Sequence, residues 1–284
     1  MMNRRPEYPL TNRTLFILLI LSCHSSALAG YISINIQASV TVSNKQLSAH
    51  ITLTNRGDEA AQTIQPQIWI QKERITGDVI PRMLPSASHS FTLNHSLNTI
   101  KKGKYPLVIW VDFHDANQYP FSAVSGMTFF VDQDTVSDLA IQTGPVVMDH
   151  EGMLELKLKN LGNDARNLNF LLVVPRELST HSIPDNILVA PRKETGVSLK
   201  ISNFSALYGA TYPIFCFVEY ESDDAHYCQL ASSVVRIEAG RNWFRKTRTG
   251  WMIGVAILIL ILAGYLIRMA RNRWKQKNSD PIFK

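Results

Sequence analysis

One strand occurs twice in this chain. The sequence GKYPLVIWVDF begins at Gly103, and the closely similar GATYPIFCFVEY begins at Gly209. Alternate residues of each segment are apolar or aromatic, a period that places them on one face of a β-strand and requires a core to cover it. Any fold for this chain must therefore contain the same buried strand in two copies. The two predicted core faces are Tyr105, Leu107, Ile109, Val111 and Phe113, and Tyr212, Ile214, Cys216, Val218 and Tyr220.

The repeat extends beyond this strand. Asn55 and Gly57 follow one alternating apolar segment, and Asn160 and Gly162 follow another. An Asn-x-Gly sequence after a strand predicts a turn, because Asn and Gly adopt positive φ at low cost. Solenoid repeats have periods of ~20–50 residues, so a repeat of about 100 residues predicts two tandem domains instead.

The strand pattern also predicts the fold class. Each copy of the repeat contains several short strand candidates separated by turn signals, and no long run of helical periodicity is evident. This pattern is typical of β-sandwiches. We therefore predict an all-β fold with two tandem Ig-like β-sandwich domains, residues 30–133 and 134–239, followed by one C-terminal transmembrane helix.

The N-terminus has the pattern of a secretory signal peptide. Residues 1–29 contain a basic start, a short apolar run and small residues before a predicted cleavage between Ala29 and Gly30. Lipidation at Cys23 is the competing interpretation, but Leu21 is bulky where lipoprotein signals usually carry a small residue.

The C-terminal region has the pattern of a membrane anchor. Residues 251–267 contain no charge, and as a helix they would extend about 25 Å, near the short limit for crossing a bilayer. A buried core helix is the alternative. Basic residues follow in a predicted cytoplasmic tail, 268–284, and precede it in a predicted juxtamembrane linker, 240–250. That linker either contacts lipid headgroups or is solvated.

The positive charge of the chain does not indicate a nucleic-acid partner. The formal net charge is +6 at pH 7, but Lys and Arg are concentrated beside the two apolar segments near the termini. Basic residues next to membrane segments are an ordinary feature of membrane proteins. The sequence therefore predicts a membrane partner and no nucleic acid.

The repeated motifs resemble those of the bacterial Ig-like modules called CARDB, which are cell-envelope β-sandwiches often found in tandem. The second copy departs from the pattern, with two residues between Gly209 and Tyr212 and with Glu219 in place of Asp. The resemblance implies a protein of the bacterial cell membrane with both domains periplasmic or extracytoplasmic, and a role in adhesion, scaffolding or presentation. It rests on Asn55, Gly57, Gly103, Tyr105, Asp112, Asn160, Gly162, Gly209, Tyr212 and Glu219.

Two cysteines lie in the last predicted hairpin. If the turn is centred on Ser222, Cys216 and Cys228 are directly opposite each other. An exported location permits oxidation, so we predict a disulfide between them. Two buried free thiols are the alternative.

The sequence contains no assembled catalytic or cofactor site. It has no nucleophile elbow, no phosphate-binding loop and no zinc-ligand spacing. Acidic residues at two hairpin tips are too few to predict calcium binding. We therefore predict that the protein is not an enzyme and binds neither a metal nor a cofactor.

The remaining prediction is an interaction role. Exposed strand edges and the tips of two hairpins are the candidate contact surfaces, with a protein of the cell envelope as the expected partner. Direct binding of a polysaccharide or another surface polymer, with Trp69 and Trp110 as aromatic platforms, is the alternative. The candidate contact residues are Trp110, Asp112, His114, Asp115, Glu219, Asp223 and Asp224.

Overall fold

The computed structural model of the chain describes residues 30–70, 73–97, 101–132, 136–181, 183–239 and 243–277. These residues form a mostly β structure with sandwich-like sheets, which confirms the predicted class, and one helix near the C-terminus. The signal peptide predicted for residues 1–29 lies outside the described residues.

The first group of strands, here called the N-terminal unit, spans residues 34–131. Its two sheets face each other and enclose a cluster of buried residues that includes Leu47, Ile68 and Ile109. The strands are β1 (Ile34–Ser43), β2 (Gln46–Asn55), β3 (Ala61–Ile70), β4 (Glu73–Thr76), β5 (Ile80–Met83), β6 (Ser88–Ser96), β7 (Gly103–His114) and β8 (Pro120–Val131). One sheet has the order β1-β2-β6, and in the other β3 pairs with β4, β5 and β7, while β8 pairs with β7.

The second group, here called the C-terminal unit, spans residues 139–237. Its core includes Leu156, Ile214 and Val235. The strands are β9 (Leu139–Thr143), β10 (Val146–Met148), β11 (Glu151–Asn160), β12 (Arg166–Val173), β13 (Leu178–Thr180), β14 (Ile187–Val189), β15 (Glu194–Asn203), β16 (Thr211–Ser222) and β17 (Ala225–Ile237). One sheet has the order β13-β15-β11-β9, and the other has the order β14-β12-β16-β17 with β10 beside β17.

The repeated strand occupies equivalent places in the two units. It is β7 in the first and β16 in the second, and each pairs with the next strand in a long antiparallel hairpin. Both predicted core faces pack into the two cores, apart from Tyr212, which is half-buried against its core. The predicted faces of the repeated strand are confirmed.

The Asn-x-Gly turns are held by buried asparagines. The Asn55 side chain accepts a hydrogen bond from the Gly57 amide at 3.0 Å and donates to the carbonyls of Glu59 and Met83. Asn160 makes the same bond to Gly162, at 2.9 Å. The reason predicted for the glycine is wrong, because among the described glycines only Gly103 and Gly209 have positive φ.

Close approach of the preceding segment explains the glycines of these turns instead. A Cβ atom at Gly57 would lie 2.8 Å from the Cα of Ile32, so the backbone before β1 crosses directly over this turn and leaves room only for a glycine. A Cβ atom at Gly162 would collide with the Asp138 carboxylate, which is a side-chain contact.

The first strand of each unit follows a different course. β1 stays paired with β2 over its whole length of 10 residues. In the C-terminal unit β9 pairs with β11, the chain is interrupted at Gly144 and Pro145, and β10 then pairs in parallel with β17. Gly and Pro interrupt a strand because Gly is flexible and Pro lacks the amide that a ladder requires.

The helix, α1 (Trp243–Lys277), follows the last strand. Its stretch Gly250–Met269 has a mean hydropathy of 2.4, and none of this stretch is buried against the rest of the protein. It is long and apolar enough to cross a membrane. The helix also extends past the predicted span on both sides, so part of the predicted linker 240–250 and part of the predicted tail 268–284 are helical.

Candidate functional site

The two units meet through one apolar layer, here called the seam. Val108 and Val124 of the N-terminal unit and Val173, Phe217 and Cys228 of the C-terminal unit are all buried there. A Cβ atom at Gly126 would lie 2.8 Å from the Phe215 ring, so the two sheets approach closely. Partly buried side chains complete the layer: Trp69, Trp110, Leu171, Phe215 and Leu230.

The seam joins equivalent faces of the two units. Phe217 lies 107 residues after Trp110 (217 − 110 = 107), and Glu219 lies the same distance after Asp112. Both pairs occupy the outer face of the repeated strand, because the alternate residues point into the two cores. The repeated strands therefore carry apolar residues on both faces, one for the unit and one for the seam.

Trp110 and Asp112, two predicted contact residues, lie at one rim of the seam. The Trp110 ring stacks on Trp69 with centroids 5.5 Å apart, and its Nε1 donates to the Asp112 carboxylate at 3.0 Å. Arg176 of the C-terminal unit approaches the same carboxylate at 3.4 Å. Both residues thus participate in contacts inside the chain.

A second carboxylate joins the units nearby. Glu177 is 2% exposed and accepts hydrogen bonds from the amide and the hydroxyl of Ser122 in β8, at 3.1 and 3.2 Å. Burial raises the pKa of Glu177, and the bonds from Ser122 oppose that effect. No pattern in the sequence predicts this contact, since nothing local relates a loop of one unit to an edge strand of the other.

Glu219, another predicted contact residue, forms a half-buried pair with His226 at the opposite rim. Its carboxylate lies 3.0 Å from Nε2 of His226, whose ring packs 4.2 Å from the Tyr105 ring of the N-terminal unit. Burial raises the pKa of Glu219 to about 7 and lowers the pKa of His226. Both shifts favour the uncharged forms, because an ion loses hydration when it is buried.

Two further contacts reinforce this rim. Lys101 of the N-terminal unit donates to the Glu221 carboxylate of the C-terminal unit at 2.7 Å. Gly103 forms a single parallel bridge with His226, which links the larger sheets of the two units into one ten-stranded sheet. A side chain at Gly103 would collide with the backbone of His226.

The other predicted contact residues lie at hairpin turns. The Asp115 carboxylate accepts hydrogen bonds from the amides of Asn117 and Tyr119, both at 2.8 Å, and so caps its own turn. Asp223 and Asp224 form the two-residue turn between β16 and β17, and both have positive φ. Asp residues tolerate this conformation better than most.

His114 ends β7 and is half-buried. Its Nδ1 atom is buried without a hydrogen-bond partner among the described residues. Among all the described residues of the chain, no group of three or more His, Cys, Asp or Glu side chains is arranged to hold a metal ion.

The predicted disulfide between Cys216 and Cys228 is wrong. Both thiols are free, and the register of the hairpin pairs Cys216 with Ala231 and Cys228 with Glu219. The turn is centred between Asp223 and Asp224, not on Ser222. Cys216 therefore points into the core of the C-terminal unit, while Cys228 points into the seam.

A cleft of about 560 Å³ opens beside the seam. It is lined by residues 30–36 at the start of the N-terminal unit, 121–125 of β8 and 210–213 of the C-terminal unit. Its volume lies within the usual range for a binding pocket. The described residues of its lining include the carboxylates of Glu59, Asp115 and Glu177 but no Lys, Arg or His.

Comparisons with known proteins do not identify the chain. No family model matches it, and neither does any curated protein. Among solved structures, native Escherichia coli alpha-2-macroglobulin is similar with a TM-score of 0.30 and 10% identity, over 72% of this chain and 17% of that one. Red sea bream transglutaminase is similar with a TM-score of 0.28 and 13% identity, over 81% of this chain and 34% of that one.

A protein of unknown function from Porphyromonas gingivalis W83 is also similar, with a TM-score of 0.29 and 10% identity, over 72% of this chain and 99% of that one. The match thus spans about a sixth of the macroglobulin and about a third of the transglutaminase. TM-scores this low are insufficient to transfer an activity to this chain.

Proposed function

We propose that this chain is a single-span protein of the bacterial cell envelope. In this proposal the two units are tandem Ig-like domains, residues 30–133 and 134–239, on the extracytoplasmic side of the membrane. They act as an interaction or scaffold module within an envelope complex. The observation that carries the proposal is α1, whose apolar stretch Gly250–Met269 follows the last strand and is not covered by either unit.

The seam supports an interaction role for both units together. It consists of a buried apolar layer with polar contacts at both rims, including Lys101–Glu221 and Arg176–Asp112. Such a layer favours one relative arrangement of the units, because separating them would expose Phe217 and Val108 to water. A partner would therefore meet one preformed surface that both units contribute.

The proposal includes no catalytic role. Glu219 and His226 form an acid–base pair, but neither of them lines the cleft. Direct binding of a polysaccharide is also not favoured by a specific observation, since Trp69 and Trp110 stack on each other at the rim of the seam.

The membrane anchor is tested by changing the middle of α1. Replacing Leu258 and Ile261 together with Arg introduces two charges at the centre of the apolar stretch, each costing roughly 2.5–3.5 kcal/mol in a bilayer. We expect the wild-type chain to remain in the membrane after alkaline extraction and the double Arg variant to be released. The matched control replaces the same two residues with Ala and should stay bound.

The interaction role is tested by crosslinking the full-length protein in native membranes and identifying what co-purifies. Specific envelope proteins should be recovered, and protease protection should place both units outside the cytoplasm. Recovery of polysaccharide without protein would contradict the interaction role. A wild-type chain in the soluble fraction would contradict the anchor.

A further inference from the structure

The outer edge of β1 is an open hydrogen-bonding surface. In the part of the chain that the structure describes, β1 is paired with β2 alone and forms one end of its sheet. The hairpin turn at Asn44 and Lys45 places Ser43 opposite Gln46 as the closing hydrogen-bonded pair. Hydrogen bonding alternates along the strand, so the even-numbered residues direct their amides and carbonyls away from β2.

This edge has none of the usual protection against pairing with another strand. Natural edge strands are typically short, or carry charges, prolines or bulges. β1 has 10 residues with the sequence INIQASVTVS, which contains no charge and no proline. Its ladder with β2 continues without a register shift from Ile34 to Ser43.

The apolar side chains of β1 are incompletely covered. Ile36, Ala38, Val40 and Val42 pack against the core of the N-terminal unit but remain only partly buried. They are the same even-numbered residues whose backbone groups face outward. One additional strand at this edge would satisfy the backbone and cover the apolar side chains together.

We propose that the strand added at this edge is β1 of a second copy of the same chain, antiparallel and centred on Ala38. In this register Ile36 lies opposite Val40 of the second copy, and Ile34 lies opposite Val42. On the other face Gln37 is opposite Ser39 and Asn35 is opposite Thr41, so each pair between Ile34 and Val42 is apolar with apolar or polar with polar. A symmetric dimer needs such a self-complementary surface.

Charge complementarity points to the same occupant. The register brings Lys45 of the second copy opposite Tyr31, whose amide donates to the Asp58 carboxylate at 2.6 Å. Lys45 is exposed at the hairpin tip, and Glu59 is exposed beside Tyr31. Each tip would therefore carry its cation to the mouth of the other copy's cleft, whose described lining contains carboxylates but no cation.

This dimer rests on the interaction role proposed above and specifies one partner for it. The two can still fail separately. Loss of membrane binding would leave the dimer measurable in solution, and a monomeric chain would leave the anchor intact.

The register is tested with one engineered cysteine in the full-length protein, oxidised in native membranes. In A38C the two new cysteines face each other across the symmetry axis, with Cα atoms about 5.5 Å apart, a separation that a disulfide can bridge. In the control, V40C, the thiols are four residues apart along the strands, about 13 Å, which is too far. We expect a disulfide-linked dimer from A38C on a non-reducing gel and none from V40C or the wild type. Equal crosslinking of both variants, or of neither, would overturn the register.

The edge itself is tested with A38P. The Ala38 amide faces away from β2, so proline removes a hydrogen bond of the proposed dimer but none of the β1–β2 ladder. We expect the detergent-solubilised chain to change from dimer to monomer, with circular dichroism unchanged. A dimer that persists in A38P would mean that the interface lies elsewhere. A wild-type chain that is monomeric, or whose β1 pairs with another protein, would overturn the proposal.

The charge contact is tested with K45E. An exposed ion pair is worth up to about 1 kcal/mol and the symmetric dimer contains it twice, so we expect the dimer dissociation constant to rise roughly two- to thirty-fold. Adding E59K to K45E exchanges the two charges and should restore the wild-type value. A K45E chain that dimerises as well as the wild type would contradict the position of the hairpin tip.

Discussion

The two units repeat one strand plan and differ most clearly along one side. In the C-terminal unit the chain leaves β9 at Gly144 and Pro145, and β10 then covers the edge of β17. In the N-terminal unit β1 remains with β2, and β8 pairs only with β7 in the part of the chain that the structure describes. A two-residue interruption therefore determines whether this side of a unit is closed by its own chain or left open.

The acidic residue of the repeated strand also has different surroundings in the two units. Asp112 lies at a rim of the seam beside the cationic Arg176. Glu219, at the equivalent position, is hydrogen-bonded to His226, and burial raises the pKa of its carboxyl to about 7. Equivalent places in a duplicated structure thus differ in their partners, a cation beside Asp112 and a half-buried imidazole beside Glu219.

The largest loss of stability is expected from disrupting β10, the strand that closes this side of the C-terminal unit. Val146 of β10 is 4% exposed and packs into the core of the C-terminal unit. V146D would bury an unpaired charge there, and we expect the free energy of unfolding to fall by roughly 3 kcal/mol or more. Chemical denaturation measures this loss.

The adjacent residue provides the control. Val147 lies on the same strand but is 55% exposed, so V147D should change the free energy of unfolding by no more than about 0.5 kcal/mol. Equal losses in the two variants would mean that β10 does not cover the edge of β17 in solution.

An intermediate effect on stability is expected from changing Glu219, and this effect depends on pH. The pKa of this carboxyl is about 7 in the folded chain and 4.5 as its ordinary value. The folded state therefore retains a proton that the unfolded state releases, and this contribution to stability is lost as the pH rises from about 4.5 to about 7. The pKa of His226, lowered by burial, contributes in the opposite direction below about 6.5.

Comparing E219Q with the wild type isolates the carboxyl, since His226 is present in both. At pH 5 the two should be equally stable, and at pH 8 E219Q should be more stable by roughly 1–3 kcal/mol. Thermal unfolding at the two pH values measures the difference. D112N is the matched control and should show no gain at pH 8, because it removes an ion pair with Arg176. A gain as large in D112N would contradict the contrast between the two positions.

The smallest effect is expected from reducing agents. Cys216 and Cys228 are free and buried, and burial raises the pKa of both thiols, that of Cys216 to about 12. A reductant should leave the melting temperature unchanged, because there is no disulfide between them to break. Peptide mass mapping should find both unlabelled by a thiol reagent in the folded protein and both labelled after unfolding without reductant. A Cys216–Cys228 crosslinked peptide would refute the register of this hairpin.

Local patterns predicted much of the fold. The alternation in the repeated strand predicted its core face, and the uncharged stretch 251–267 predicted an apolar helix. The disulfide between the cysteines was wrongly predicted because the turn was placed on Ser222 instead of between Asp223 and Asp224. A shift of that kind changes which residues of a hairpin share a face.

The sequence does contain a signal for the seam, but the alternation that predicted the core faces does not include it. β7 and β16 contain nearly continuous apolar runs, with Val108 and Phe217 on the face opposite each core, and strands buried on both faces have this character. The contacts of Glu177 and His226 could not be predicted. Each joins residues of different units, and no local pattern specifies such pairs.

The short connection between β17 and α1 has a mechanical consequence. Ile237 ends the strand and Trp243 begins the helix, and five intervening residues span at most about 20 Å. With α1 in a bilayer, this connection would hold the end of β17 close to the membrane. Tension on a bound partner would be transmitted to β17, which is paired along its length with β16 and in part with β10. A load applied along strands in this arrangement shears many hydrogen bonds at once, so the sheet would resist traction from the membrane.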